Sequence, residues 1–205
     1  ILQRQMFRVI VLLPCHPEGP LTSASTLIVL SYEFDTIIRG PKSLLGELSK
    51  EFPDVDLSQF ITFSSLRNWD ALLPGPAAAA VQNMIYVHSK LLIADDNVAI
   101  IGSANINDRS LLGDRDSEFG FVFDGGEKIA GIVAGKREAV SLFVQSLRMR
   151  LWSEHLGLPD SELGQIADAA SPEAYDQWKS RSATNLAAFV RVFGNSVHHN
   201  GIRLL

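Results

Sequence analysis

Two side chains that can handle a phosphate ester lie two positions apart near the middle of this sequence. His88 and Lys90 are followed, after an apolar run, by Gly102-Ser103-Ala104-Asn105. Lysine supplies a fixed positive charge, serine and asparagine supply neutral donors, and glycine lets backbone amides come close to a ligand. An imidazole can attack, donate a proton or accept one near neutral pH. The set therefore indicates a site for an oxyanion such as a phosphodiester.

Two apolar runs, 84–93 and 98–101, predict the β-hairpin that would position these side chains. Between them the sequence favours a two-residue turn at Asp96-Asn97. That turn would give two cross-strand pairs further along the hairpin: Lys90 with Ser103, and His88 with Asn105. Because cross-strand partners share a face at about 5 Å, one face of the hairpin would carry all four polar groups.

Metal sites and nucleotide-phosphate loops fit this sequence less well. No second histidine, cysteine or paired carboxylate sits at ligand spacing from His88, and the nearby lysine would repel a cation. Gly102-Ser103 lacks the GxxxxGK[ST] context of a P-loop. The adjacent His198-His199 are interpreted as solvated tail residues. The single cysteine, Cys15, suits a reducing compartment and is interpreted as a small residue at a strand end.

Composition places the chain among globular proteins with a substantial core. It has 205 residues, of which 46% are hydrophobic and 20% charged. The net charge of -5 argues against nucleic acid as a partner, since binding to its backbone relies on excess lysine and arginine. No apolar run reaches the roughly 18 residues needed to span a bilayer. The sequence opens ILQRQ without a signal peptide and closes GIRLL, which we interpret as a piece of a longer protein.

Strands mixed with helices along the chain predict a layered α/β or α+β fold. Strands are expected at 7–13, 60–63 and 119–123, and helices at 25–39, 43–52 and 136–155. Residues 69–81 are interpreted as a flexible insertion, and the last stretch as one or two helices. Arg148 and Arg150 are expected on the exposed side of the 136–155 helix, with Gly157 ending that helix. The tryptophans are interpreted as core residues: Trp69, Trp152 and Trp178.

One spacing in the central stretch resembles the signature of the phospholipase D superfamily: His88-x-Lys90-x4-Asp95-x6-Gly102-Ser103-x-Asn105. The wider sequence, IYVHSKLLIADDNVAIIGSANINDRSLLGDRDSE, is similar to the second such motif of eukaryotic phosphatidylcholine-hydrolysing members. The similarity extends to VIVLLP, YEFDTIIRG, SLLG and LRMRLWSEHLGL. It implies an α/β fold, a mixed β-sheet flanked by helices that forms one half of a two-fold pseudo-symmetric structure. Residues 1–158 would be the C-terminal catalytic half-domain, and 159–205 a truncated helical extension.

The resemblance also implies a mechanism that needs two histidines. One attacks phosphorus to give a phosphohistidine, the other protonates the departing alcohol, and water or another alcohol then resolves the intermediate. In-line displacement places nucleophile and leaving group on opposite sides of phosphorus, so one imidazole cannot serve both. As the second-motif histidine, His88 would be the general acid and later the base that activates water. The chain contains no other H-x-K, so it carries half of such a site.

The same resemblance assigns roles to the other motif residues. Those implied to bind the substrate phosphate are Lys90, Ser103 and Asn105. Glu118, in the RDSE segment, is implied to hold the other nitrogen of His88, with Asp116 as the alternative. Asp95, at the far end of the hairpin, and Gly102 are given structural roles. No metal or other cofactor is implied for the chemistry, and activation of the full-length enzyme by phosphoinositide or calcium is left open.

The leading interpretation is the C-terminal catalytic half of a phospholipase D that converts phosphatidylcholine to phosphatidic acid and choline. Transfer to a primary alcohol would be its side reaction. One alternative is another superfamily activity, such as a cardiolipin synthase, a phosphatidylserine synthase or a nuclease. A second alternative is a non-catalytic lipid- or partner-binding fragment, because the first motif is absent.

Two partners are implied, and nucleic acid is not among them. The first is an N-terminal half bearing the first His-x-Lys motif, in the same full-length chain or in a second copy. The second is a phospholipid membrane surface, which predicts a cytoplasmic protein peripheral on membranes. The isolated fragment is expected to be inactive.

Overall fold

The computed structural model describes residues 5–14, 23–71, 80–194 and 202–204. Cys15, His198-His199 and residues 72–79 of the predicted insertion lie outside this set. Packing divides the chain into two compact units: one comprises Ile1–Phe7 and His88–Trp178, the other Arg8–Val87 and Lys179–Leu205. The division expected between residues 158 and 159 stays a prediction.

Helices and strands are mixed along the described chain, which confirms the predicted α/β class. The strands are β1 (Val9–Leu12), β2 (Ile61–Ser65), β3 (Arg67–Ala71), β4 (Ala80–Met84), β5 (Lys90–Ala94), β6 (Val98–Gly102), β7 (Gly120–Phe123), β8 (Lys128–Val133), β9 (Lys136–Ser141) and β10 (Ile202–Leu204). The helices are α1 (Ala24–Ile37), α2 (Leu44–Glu51), α3 (Asp108–Leu111), α4 (Leu142–Leu156) and α5 (Pro172–Phe193). Short 3-10 segments cover Leu57–Gln59 and Asp160–Ile166.

In the unit that begins at Arg8, β2 is the central strand of a parallel sheet. It pairs with β1 on one side and with β10 on the other. Helix α1 buries Leu30 and Phe34, which lie four residues apart on one helix face, in a cluster with Phe63 of β2. The helix stops before Gly40, which has a φ of 80°. The helices and strands predicted for residues 7–63 are confirmed.

Two of the three tryptophans lie in the core, as predicted. Trp152 and Trp178 are buried, with ring centroids 4.8 Å apart. Trp69 is 63% exposed, so the prediction for this residue is wrong. It lies on β3 in a two-stranded sheet, and so narrow a ribbon leaves side chains open to solvent.

The helix predicted over 136–155 begins six residues late, because Lys136–Ser141 forms strand β9. β9 pairs antiparallel with β8 around Ala134-Gly135, whose φ angles of 51° and 79° suit a two-residue hairpin turn. The Asp168 carboxylate accepts hydrogen bonds from both turn amides, at 3.1 and 2.7 Å. Periodicity missed this hairpin because its turn is fixed by a residue far along the chain. The helix still ends at Gly157, as predicted, with a φ of 63°.

The side chain of Arg148 is buried, so its predicted position on the exposed face of α4 is wrong. Its guanidinium makes a bidentate ion pair with the Asp96 carboxylate, at 2.9 and 2.6 Å. It also donates to the carbonyl oxygens of Ile166 and Ala167. Only 4% of the Arg148 side chain and 6% of the Asp96 side chain are exposed. Arg150, two residues on, is exposed as predicted.

The β5–β6 hairpin exists, but its predicted turn and register are wrong. Ala94 pairs with Val98, so the loop between them has three residues and Lys90 lies opposite Gly102 instead of Ser103. Asp95 and Asp96 adopt φ angles of 51° and 54°, a region that aspartate tolerates better than most residues. The longer loop lets Asp96 point inward to Arg148. The sequence around the turn gave no sign of this distant partner, so it favoured a two-residue turn.

Candidate functional site

All the residues predicted to form the site belong to the unit that contains His88–Trp178. His88 lies just before β5, and the β5–β6 ladder begins at Lys90. The Nζ of Lys90, the first residue of β5, donates to the His88 carbonyl oxygen at 2.6 Å. This bond places the lysine charge beside the histidine backbone. Cross-strand pairing of His88 with Asn105 is therefore wrong, because neither residue lies in the ladder.

Gly102 permits a close approach between β6 and β7. It lies opposite Gly120, and a Cβ added at Gly102 would fall 2.6 Å from the Phe119 carbonyl oxygen and 2.9 Å from the Gly120 Cα. The next amide, that of Ser103, donates to the same carbonyl oxygen at 2.9 Å. Glycine is thus required at 102 so that Ser103 can reach the segment before β7.

Replacing Gly102 with alanine should destabilise the β6–β7 pairing. The two closest atoms to the added methyl belong to backbone, which cannot rotate away, and overpacking of this kind costs about 1–3 kcal/mol. Amide hydrogen exchange of the two strands in the full-length protein measures the effect. Gly125→Ala is the matched control, since a Cβ there meets nothing within 4 Å. Equal exchange in both variants would contradict the close-approach argument.

The hydroxyl of Ser103 connects the end of β6 to Glu118. It accepts a hydrogen bond from the Phe119 amide at 3.0 Å and donates to the Glu118 carboxylate. The Phe119 carbonyl oxygen lies 3.3 Å from the same hydroxyl, but the single proton is better used on the charged acceptor. Ser103 and Glu118 are therefore neighbours, whereas Lys90 lies opposite Gly102 and not opposite Ser103 as predicted.

A second serine, Ser110 in the short helix α3, contacts the backbone of Asn105. Its hydroxyl accepts a hydrogen bond from the Asn105 amide at 3.1 Å. The side chain of Asn105 is itself exposed.

The electrostatics of this cluster keep Glu118 ionised. The hydrogen bond from Ser103 is the largest cause that lowers the pKa of Glu118, and the positive charge of Lys90 acts in the same direction. Asp116 opposes them because it is a like charge. Glu118 is therefore an ionised carboxylate that the Ser103 hydroxyl contacts directly.

Asp116 has a different partner from Glu118. The Arg109 guanidinium donates to both of its carboxylate oxygens, at 2.9 and 3.1 Å, and the Asp116 amide donates to the Arg109 carbonyl oxygen at 3.0 Å. These bonds close the loop that leads from α3 to Glu118. They favour Glu118 over Asp116 for the predicted orienting role, which stays a prediction.

The polar residues around Lys90 and Glu118 lie within a region that matches a known protein family over nearly the whole chain. Residues 1–200 match the family model described as Phospholipase D. The chain belongs to the phospholipase D family. The resemblance inferred from the His88–Asn105 spacing is thereby confirmed.

Several curated phospholipases D are similar to this family member over almost its full length. Phospholipase D B of Dictyostelium discoideum is 41% identical over 98% of the chain, and phospholipase D zeta 1 of Arabidopsis thaliana is 40% identical over 93%. Phospholipase D1 of Homo sapiens is 36% identical over 98%. The chain spans only 16%, 18% and 19% of the lengths of these three relatives.

Two further structural findings concern the described part of this phospholipase D family chain. Its described helices include none that is both long and apolar enough to cross a membrane. Among the same residues, no cluster of three or more histidine, cysteine, aspartate or glutamate side chains could hold a metal ion.

Sequence reasoning missed Ser110 and Arg109, which together shape the segment around Glu118. A signal was present in the segment Asn107-Asp108-Arg109-Ser110. The Asn107 side chain caps α3 by accepting from the Ser110 amide at 3.1 Å, as asparagine commonly does at a helix start. Recognising that cap would have predicted a turn that brings Ser110 back towards Asn105.

Proposed function

We propose that the full-length protein is a phospholipase D that hydrolyses phosphatidylcholine to phosphatidic acid and choline through a phosphohistidine intermediate. This chain supplies the second of two catalytic motifs. The observation that carries the proposal is the arrangement at one end of the β5–β6–β7 sheet, where Lys90 begins β5 and the Ser103 hydroxyl, just beyond β6, donates to the Glu118 carboxylate. The three relatives described above are all phospholipases D, which supports the same class of reaction.

In this proposal Lys90 and Asn105 bind the substrate phosphate, and Ser103 supports them. Lysine offsets the negative charge that the phosphodiester oxygens carry in the ground state and the transition state. The Asn105 amide side chain is exposed and offers a neutral donor. Ser103 acts through its neighbours, since its one proton goes to Glu118.

His88 is the general acid of the first step in this proposal. It gives its proton to the choline oxygen as the phosphorus–oxygen bond breaks, while the histidine of the other motif forms the phosphorus–nitrogen bond. In the second step His88 takes a proton from water, which attacks phosphorus and releases the first histidine. Glu118, ionised and held by the Ser103 hydroxyl, orients the imidazole and stabilises its protonated form.

The proposed reaction needs partners outside this chain. One is the half that carries the first His-x-Lys motif, in the same full-length chain or in a second copy. The other is the surface of a phospholipid membrane, on which a cytoplasmic enzyme would act peripherally. We propose residues 1–158 as the catalytic half-domain, with 159–205 as a helical extension. The isolated fragment should be inactive, because the sequence contains one H-x-K motif.

Other activities within the superfamily are the main competing proposals. A nuclease is disfavoured by the net charge of -5, since single-stranded nucleic acid binds through excess positive charge. Cardiolipin and phosphatidylserine synthesis use the same phosphoryl chemistry with a different headgroup. A non-catalytic lipid- or partner-binding role is the alternative outside enzymology.

A headgroup panel tests the proposed function. The full-length protein is assayed on vesicles of phosphatidylcholine, phosphatidylglycerol or phosphatidylserine and on single-stranded DNA. We expect choline and phosphatidic acid from the first, and a phosphatidyl alcohol when a primary alcohol is added. Cleavage of another substrate without choline release would contradict the headgroup assignment. Choline release by the purified 205-residue fragment would contradict the half-site.

A further inference from the structure

We infer that Arg109 is a positioning residue of this site, because its ion pair with Asp116 places the segment that carries Glu118. The inference rests on the proposed function, since it assigns Arg109 to the same reaction. The family resemblance gave Asp116 only as an alternative orienting carboxylate, and it gave Arg109 no role.

Three hydrogen bonds join Arg109 to Asp116 across seven positions of the chain. The guanidinium donates to both carboxylate oxygens, at 2.9 and 3.1 Å, and the Asp116 amide donates to the Arg109 carbonyl oxygen at 3.0 Å. Donation from one guanidinium to both oxygens of a carboxylate fixes orientation as well as distance. The main-chain bond closes the same loop without the side chains. Asp116 is therefore held through its side chain and through its backbone.

The turn from which Arg109 projects is itself anchored. The Asn107 side chain accepts a hydrogen bond from the Ser110 amide at 3.1 Å, and the Ser110 hydroxyl accepts one from the Asn105 amide, also at 3.1 Å. These bonds tie helix α3 to Asn105, which is a proposed phosphate ligand. Arg109 therefore reaches Asp116 from a fixed base beside the proposed phosphate site.

The position of Asp116 in turn limits where Glu118 can lie. Glu118 follows two residues later, and its carboxylate accepts a hydrogen bond from the Ser103 hydroxyl. The Phe119 amide donates to that same hydroxyl at 3.0 Å. The segment is thus held at one end by the ion pair and at the other by Ser103. Loss of the ion pair should free the end nearer to α3 and loosen the carboxylate.

The exposure of the ion pair indicates that its effect is local. The side chains of Arg109 and Asp116 are 62% and 35% exposed. Exposed ion pairs usually add little to the stability of a whole protein. A bidentate pair can nevertheless fix the geometry of one loop. The fold should therefore survive its removal, whereas the placement of Glu118 should not.

Arg109 also offsets a charge that acts on Glu118. The Ser103 hydrogen bond lowers the pKa of Glu118, and the like charge of Asp116 opposes this effect. Without the guanidinium, Asp116 would be an unpaired carboxylate two residues from the one proposed to orient His88. Two negative charges would then compete for the same imidazole. The ion pair leaves Glu118 as the carboxylate that acts on it.

The leaving group separates a positioning role from a structural defect. The experiment measures the single-turnover rate of headgroup release by Arg109→Met in the full-length protein, on phosphatidylcholine and on an analogue with a p-nitrophenyl leaving group. We expect the rate on phosphatidylcholine to fall about 10-fold to 100-fold, as for other residues that orient a catalytic group. Release of p-nitrophenolate needs no proton, so the rate on the analogue should stay near that of the parent. A general structural defect would lower both rates equally.

A double-mutant cycle tests whether Arg109 acts through Glu118. Glu118→Gln should lower the rate on phosphatidylcholine at least as much as Arg109→Met does. Adding Arg109→Met to Glu118→Gln should cost less than about 3-fold more, because losses do not multiply for residues that act as a unit. Arg150→Met is the matched control, since it makes the same change at an exposed position in the same unit. It should leave both rates at the parental values.

Arg109→Lys keeps the charge but cannot donate two parallel bonds, so it should recover only part of the lost rate. It also decides the question if the methionine variant does not fold, because its loss should likewise be confined to phosphatidylcholine. Equal losses on the two leaving groups would overturn the inference. Losses that multiply in the cycle with Glu118→Gln would overturn it as well.

The same measurements on phosphatidylglycerol vesicles separate this inference from the proposed function. A parent active on phosphatidylglycerol alone would overturn the choline-lipid proposal, and the cycle on that lipid would then decide the role of Arg109. A parent inactive on both lipids would overturn both.

Discussion

Replacing His88 with alanine in the full-length protein should lower kcat on phosphatidylcholine by roughly 10²- to 10⁴-fold, the usual contribution of a general acid or base. Choline is a poor leaving group unless its oxygen receives a proton as the phosphorus–oxygen bond breaks. Lys90 binds back to the His88 carbonyl oxygen and would remain in place, so KM should change little. Choline release against substrate concentration measures both parameters.

A substrate with a p-nitrophenyl leaving group separates the acid role from other roles of His88. p-Nitrophenolate departs without protonation, so the first step should survive in His88→Ala as a burst of product, followed by slow turnover. Equal loss of the first step on both substrates would remove His88 from the acid role. His155→Gln is the control, since it replaces an imidazole that packs against Trp178 in the same unit. It should retain the parental kcat.

The sequence was sufficient for the parts of this site that depend on short spacing. The apolar runs at 84–93 and 98–101 predicted strands β5 and β6; Lys90 begins β5, His88 lies just before it, and Ser103 directly follows β6. Those runs predict strands because side chains alternate and the core selects apolar residues. The same local signals gave helix α1 and the glycine that ends α4.

Long-range contacts account for what the sequence did not predict. The register of the β5–β6 hairpin depends on a loop whose Asp96 reaches inward to Arg148, 52 residues further along the chain. Strand β9 depends in the same way on Asp168, which holds the amides of the preceding turn. Residue types and hydrophobic periodicity report on neighbours along the chain. They do not identify the distant residue with which a carboxylate will pair.

The site likewise combines residues that the sequence identified with contacts that only the fold shows. Glu118 was identified by its place in the RDSE segment, but its hydrogen bond with Ser103 became visible only in the fold. Ser110 lies five residues beyond Asn105 and is brought back by the cap of a four-residue helix. Such a short turn leaves almost no periodicity in the sequence, so its signal is the capping asparagine alone.

The loop at the far end of the motif hairpin contains a buried ion pair between Asp96 and Arg148, and loss of either partner should be costly. Replacing Arg148 with methionine keeps an unbranched apolar stem but leaves the Asp96 carboxylate without its bidentate partner. Breaking one side of a buried pair typically costs about 3–5 kcal/mol, because the remaining charge stays out of water. Both side chains are almost wholly buried, so screening by solvent offers little relief. The β5 and β6 strands should then open far more readily.

Amide hydrogen exchange of β5 and β6 in the full-length protein measures the local opening free energy directly. Arg150→Met is the matched control, since it makes the same change two residues along the same helix at an exposed position. It should alter that free energy by less than about 0.5 kcal/mol. Adding Asp96→Asn to Arg148→Met removes the stranded charge while suiting the positive φ, so the double variant should be more stable than Arg148→Met alone. Equal exchange in the two methionine variants would show that Asp96 and Arg148 do not hold the hairpin that carries Lys90.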